Sequence, residues 1–307
     1  MKRLTKSKLT QKKLSDLICY VVFMIWPIVH VCVFYFYVNF SSIAMAFQKY
    51  DNGKYVFAKF SNFISIFNDF QNTTRLQAMI LNSVKVFLSS AIIGVTLQVL
   101  LGYYIYKGYS GSKFFKTILF LPQIISSVVL VLLFKSFIDK YIPELFQTLF
   151  GLKERPIGLL ANPESTFNTI MYYGIFMGLG MQVLIYSSTM SNINPSLSEA
   201  MRLESESKLV ELFHIVLPMI WPTFVTFFIM QIVGLFTNQM NLLSFFSLFA
   251  PREELYTFGF FLYKETVLGS LATYPKLSAF GLLSSAILIP VVFGVRSLMI
   301  KCGPSVD

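Results

Sequence analysis

The residues best placed to do chemistry in this chain lie between positions 194 and 211. Glu199, Glu204, Glu206 and Glu211 stand there with only Arg202 and Lys208 opposing them, in a run opened by Asn194-Pro195. Asparagine is a strong N-cap and proline is favoured at the first helical position, so a helix is expected to start here. Leu197, Ala200 and Met201 recur at i, i+3 and i+4 on one face, with Glu199, Arg202 and Glu206 on the other. An acidic face with a small apolar ridge suits docking to a partner protein. A helix lying on lipid usually carries Lys and Arg on its polar face, and this one is acidic. A solvated connector is the alternative reading.

Catalytic patterns are absent from the sequence. There is no H-E-x-x-H, no G-x-S-x-G and no pair of acids within an apolar run. The stretch Gly108–Lys113 comes nearest to a phosphate-binding loop but lacks the adjacent Gly-Lys. Cys19, Cys32 and Cys302 are scattered, as are His30 and His214. Neither a disulfide framework nor a zinc site is expected.

The elements that must position these residues are set by composition. Of 307 residues, 55% are apolar and 13% charged, with 33 phenylalanines. A soluble domain carries about 25% charged residues, so lipid must solvate much of this surface. Six stretches are long enough to cross a bilayer: 17–40, 80–106, 117–138, 166–186, 215–236 and 277–299. Pro27, Pro122 and Pro290 fall in or near them and are tolerable where neighbours satisfy the freed carbonyls. The first stretch is too long for a signal-peptide core and reads as an uncleaved helix.

The net charge of +10 does not point to nucleic acid, because its distribution follows the membrane. Six of the first thirteen residues are basic, which assigns both termini to the cytoplasm. The acidic run then falls on an inner loop, between the fourth and fifth crossings, where cations would be the rule. Lys85 and Lys135, near outer span ends, read as ion-pathway charges or, preferably, as stems reaching to the interface. Residues 41–78, 139–165 and 237–276 read as outer loops, the first with a helix near 60–70. The expected layout is a basic segment 1–16, one membrane domain over 17–300 with an inner loop at 188–214, and a tail at 301–307. The fold class is all-α with six membrane helices.

The run Glu199-Ala200-Met201-x-x-Glu204-Ser205-Glu206, followed by Ile215-x-Leu217-Pro218 and Pro222, resembles the EAA signature of ABC importer permeases. Asn82-Ser83, Phe120-Leu121-Pro122, Leu160-Ala161-Asn162-Pro163 and Thr257–Tyr263 are similar to further segments of the carbohydrate permeases of maltose and glycerol-phosphate type. The resemblance covers roughly residues 15–300 and implies a type I importer permease. Three positions depart from it: Glu204 stands where the family has Asp, a mild change, and Ser205 and Glu206 stand where it has Gly and Ala. A serine forced into a left-handed turn would cost roughly 1 kcal/mol, so either strain or a different turn is expected.

The resemblance implies that this loop docks a separate cytoplasmic ATPase dimer. Glu199 would pair with a basic residue there, Leu197, Ala200 and Met201 would fill its cleft, Leu203 and Leu209 would back the loop, and Glu204 and Ser205 would complete the coupling segment. Glu204 and Glu206 read equally as solvated charge, and Glu211 is expected to be solvated. ATP would bind the partner, so this chain needs no cofactor and is not an enzyme. The other implied partners are a second permease, an extracytoplasmic solute-binding protein, membrane lipid and a sugar, in a prokaryotic plasma membrane. The substrate path would run along spans four and five, past Gly178, Gln182, Gln231, Thr237 and Asn238, polar or small residues that must face protein or a wet cavity. Helix packing is the competing reading for Gly174 and Gly178. The other function classes are an ATP-independent carrier, which would transport alone in liposomes, and a structural membrane protein. With no acid deep in a span and no internal repeat, a carrier is disfavoured.

Overall fold

The computed structural model describes residues 19–205, 207–248 and 252–304 and is predominantly helical. In chain order the helices are α1 (Cys19–Ala46), α2 (Ser61–Asn72), α3 (Thr74–Tyr106), α4 (Ser112–Ile124), α5 (Ser127–Phe150), α6 (Pro163–Ser191), α7 (Pro195–Glu204), α8 (Lys208–Met219), α9 (Trp221–Thr237), α10 (Leu242–Phe246), α11 (Phe258–Leu268) and α12 (Tyr274–Lys301). Strands β1 (Gln48–Asp51) and β2 (Lys54–Phe57) pair as an antiparallel hairpin between α1 and α2.

Helices α1, α3, α6 and α12 are each long and apolar enough to cross a membrane. The two other expected crossings are not single helices. The third is divided between α4 and α5, which meet at 109°, and the fifth between α8 and α9, which meet at 78°. Proline accounts for both places. Pro122 removes a backbone donor inside α4, and the chain turns extended at Ile125 three residues on. Pro222 occupies the first turn of α9 directly after the break at Ile220, the position where a missing N–H does no harm.

The chain forms two compact units, Met1–Asn68 with Gly269–Leu283, and Asp69–Leu268 with Ser284–Asp307. In the first, what reads as a plain loop holds the hairpin. Asn52 and Gly53 have φ of 45° and 82°, the positive values of the tight turn that Asn-Gly favours. Asn62, on α2, donates to the carbonyls of Ala46 and Gln48 at 2.8 and 2.7 Å, tying α2 to the end of α1.

The second unit carries both candidate sites. Helices α3 and α6 pack where Gly102 lets the backbone approach Tyr186; a Cβ there would sit 2.9 Å from the tyrosine Cβ. Gly180 does the same for α4, since its Cβ would strike the Leu119 carbonyl, and Gln123 adds a 2.8 Å hydrogen bond to the Met177 carbonyl. On α3, Asn82 donates to the carbonyls of Glu254 (2.7 Å) and Tyr256 (3.1 Å), while Ser83 Oγ accepts from the N–H of Phe258. The stretches expected to be loops are thus partly helical: α5 runs to Phe150, and α10 and α11 lie in 237–276. Lys135 does not simply reach to the interface, because its ammonium donates to the Phe245 carbonyl at 2.8 Å beside the Phe246 ring. Lys85 is exposed, 6.0 Å from the ring of Phe167.

Candidate functional site: an exposed loop helix and a neutral cavity

The acidic helix α7 begins as its residues dictate. Asn194 Oδ1 accepts from the N–H of Ser196 at 3.1 Å, with Pro195 in the first turn. Leu197, Glu199 and Ala200 are exposed, Met201 is half-buried, and Ser198 turns inward. The helix therefore offers a leucine, an alanine and a carboxylate together to whatever lies outside the chain. Arg202, Leu203 and Glu204 continue the helix, but their side chains, like Glu206, lie outside the described part of the structure.

Two expectations for this loop are corrected, at Leu209 and Glu211, and of the two alternatives for Ser205 the different turn is the one found. Ser205 has φ −153° and ψ 132°, extended backbone that any residue adopts, so no left-handed turn and no strain arise. The serine instead accepts a hydrogen bond from the N–H of Ser207 at 3.2 Å. Leu209 is 62% exposed and so is not packed behind the loop as expected. Glu211 is not solvated: it is 6% exposed, ion-paired with Lys107 and hydrogen-bonded by the Tyr103 hydroxyl at 3.0 Å. The Lys107 ammonium also lies 5.6 and 5.0 Å from the rings of Tyr103 and Tyr106, within cation–π range.

Behind the loop, Tyr186, Met190 and Ile193 on and after α6 meet Leu212 and Val216 on α8 and Ile220 at the break after it, and Val95, Val99 and Tyr103 from α3 complete the cluster. Close-packed apolar contacts transmit displacement rather than absorb it.

A second site lies between the crossings. A cavity of about 190 Å³ is bordered by α3, α6, α9 and the turn after α9. Gly178, Gln182, Gln231 and Asn238 all line it. Thr237 does not; it is exposed, and its hydroxyl bonds back to the Val233 carbonyl at 3.2 Å. A Cβ on Gly174 or Gly178 would meet nothing within 4 Å among the described residues, so within this chain these glycines open space. Gln98 is a buried lining residue that sequence reading missed. Its signal was present: Ser90, Gly94 and Gln98 on α3 repeat the small-small-Gln pattern of Gly174, Gly178 and Gln182 on α6, both at i, i+4, i+8, which places each set on one helix face.

Several apolar helices, a polar cavity bordered by them and an exposed helix on a connecting loop define the class of a membrane transport subunit. Residues 92–299 match the family model described as binding-protein-dependent transport system inner membrane component, and the chain belongs to that family. Over 124 residues it is 30% identical to "Probable ABC transporter permease protein MG188" of Mycoplasma genitalium, covering 39% of this chain and 37% of that protein. Over 167 residues it is 28% identical to "Probable ABC transporter permease protein YurN" of Bacillus subtilis, covering 53% and 56%. The matches thus span between about a third and just over half of these curated relatives. Among solved structures, a bacterial ABC transporter involved in the import of the acidic polysaccharide alginate superimposes with a TM-score of 0.77 at 20% identity, covering 96% of this chain and 99% of that one. The same transporter in complex with an alginate pentasaccharide-bound periplasmic protein gives 0.74, also at 20% identity, over 93% and 94%. The fold is that of a type I ABC importer permease.

Proposed function

We propose that this chain is the membrane-spanning permease subunit of an ATP-driven importer for a sugar or oligosaccharide. It forms half of the translocation pathway beside a second permease. Loop 188–214 docks a cytoplasmic ATPase dimer, which binds the nucleotide, and an extracytoplasmic binding protein delivers the solute. Both termini then lie on the cytoplasmic side. The observation that carries this reading is helix α7: capped at Asn194, exposed at Leu197, Glu199 and Ala200, and joined at both ends to membrane helices. Leu197 and Ala200, with half-buried Met201, fit a partner's cleft, and Glu199 meets a cation at its rim. A rigid displacement of this helix, imposed by moving ATPase lobes, reaches α6 through Ile193 and α8 through Leu212.

The sugar reading draws its support from the uncharged polar lining of the cavity and from the likeness to a polysaccharide importer. The test is uptake by the assembled transporter carrying Glu199→Lys. Charge reversal at the docking face is expected to abolish ATP-dependent uptake while leaving membrane insertion and binding-protein docking intact. Undiminished uptake by that variant removes the coupling role from this loop.

A further inference from the structure

We infer that the cavity between α3, α6 and α9 selects an uncharged, polyhydroxylated ligand over an acidic one, with Gln98 as a specificity-determining residue. This rests on the importer reading and adds the charge class of the substrate. Among the described residues that line the cavity, none is ionisable. Its side-chain polarity comes from Ser90 and from five carboxamides, Gln98, Gln182, Gln231, Asn238 and Asn241.

A carboxamide both donates and accepts, and so does a hydroxyl. A ring of carboxamides therefore pairs with sugar hydroxyls in many orientations. A carboxylate or phosphate would enter with its charge uncompensated, which a cavity among membrane helices penalises heavily. The lysines that the sequence places in these spans are engaged elsewhere. Lys135 holds the Phe245 carbonyl, and Lys85 is exposed near Phe167.

Gln98 sharpens the argument. It is 2% exposed, and its Oε1 has no hydrogen-bond partner. Buried acceptors are normally satisfied. An orphan acceptor beside a cavity asks for a donor, which a hydroxyl provides and a carboxylate or phosphate group cannot itself supply. The alginate importer that shares this fold moves an acidic polysaccharide, so on this inference the fold is common and the charge preference is not.

The test uses the assembled transporter, purified in nanodiscs without its binding protein so that only the membrane site is read. Four probes are titrated against its thermal unfolding: glucose, mannitol, glucuronate and glucose 6-phosphate. The two neutral probes are expected to raise the midpoint, with half-saturation at least tenfold lower than for either anion. Gln98→Leu is expected to weaken the neutral probes at least tenfold. Gln98→Asn, which keeps the amide, is expected to recover part of that loss. Equal or better stabilisation by the anions, or none by any probe, overturns the inference. The wild-type preference needs no variant, so misfolding of Gln98→Leu leaves the test intact. The readout is independent of ATP, so this inference can fail while the Glu199→Lys result upholds the importer reading, and the reverse.

Discussion

Lys107, just past the end of α3, is ion-paired with Glu211 at the start of α8, 104 residues later in the chain. Their side chains are only 10% and 8% exposed. Tyr103 closes the arrangement by donating its hydroxyl to Glu211, within 3.2 Å also of the Lys208 carbonyl. This pair locks the segment that follows α7 onto the end of α3.

Removing one partner of a buried pair leaves the other charge without compensation, at a cost of about 3–5 kcal/mol. Lys107→Ala is therefore expected to lower the thermal midpoint of the detergent-solubilised protein markedly. Lys107→Met combined with Glu211→Leu is expected to recover most of the loss, since apolar pairs of similar volume often replace buried ion pairs at little cost. A Lys107→Ala midpoint equal to wild type would show that the pair is solvated in the membrane-embedded protein.

The glycines of α6 are not equivalent. Gly180→Ala drives a methyl into the Leu119 carbonyl, and overpacking of that kind costs about 1–3 kcal/mol. Gly174→Ala meets nothing within 4 Å and is expected to leave the unfolding midpoint unchanged or slightly raised, because alanine favours the helix. Thermal unfolding of the two variants side by side checks this, and equal destabilisation would contradict the assigned packing of α4 on α6.

Ser205 departs from the family's glycine, yet its backbone is extended. Restoring glycine by Ser205→Gly relieves no strain. It loses the hydrogen bond from the Ser207 N–H and adds unfolded-state freedom, so a loss of about 0.4–1 kcal/mol is expected. Under the importer reading, uptake by this variant stays within twofold of wild type. A clear gain in stability would mean that the turn is strained after all.

Much of this protein was legible before any coordinates. Long apolar runs mark helices because lipid tolerates no unpaired backbone, and the Asn194-Pro195 start of α7 follows from local hydrogen bonding. The polar set Gly178, Gln182, Gln231 and Asn238 was recognisable because such residues are out of place in apolar helices. Tertiary structure alone decided the rest. Whether a glutamate is solvated depends on what approaches it from elsewhere in the chain, and Lys107 reaches Glu211 only when α3 and α8 pack. Thr237 shares the chemistry of the lining set but faces away, since a side chain's direction follows from its place on the helix. The breaks between α4 and α5 and between α8 and α9 are likewise tertiary outcomes: a proline permits a bend in an apolar helix, and the packing around it determines whether and how far the chain turns.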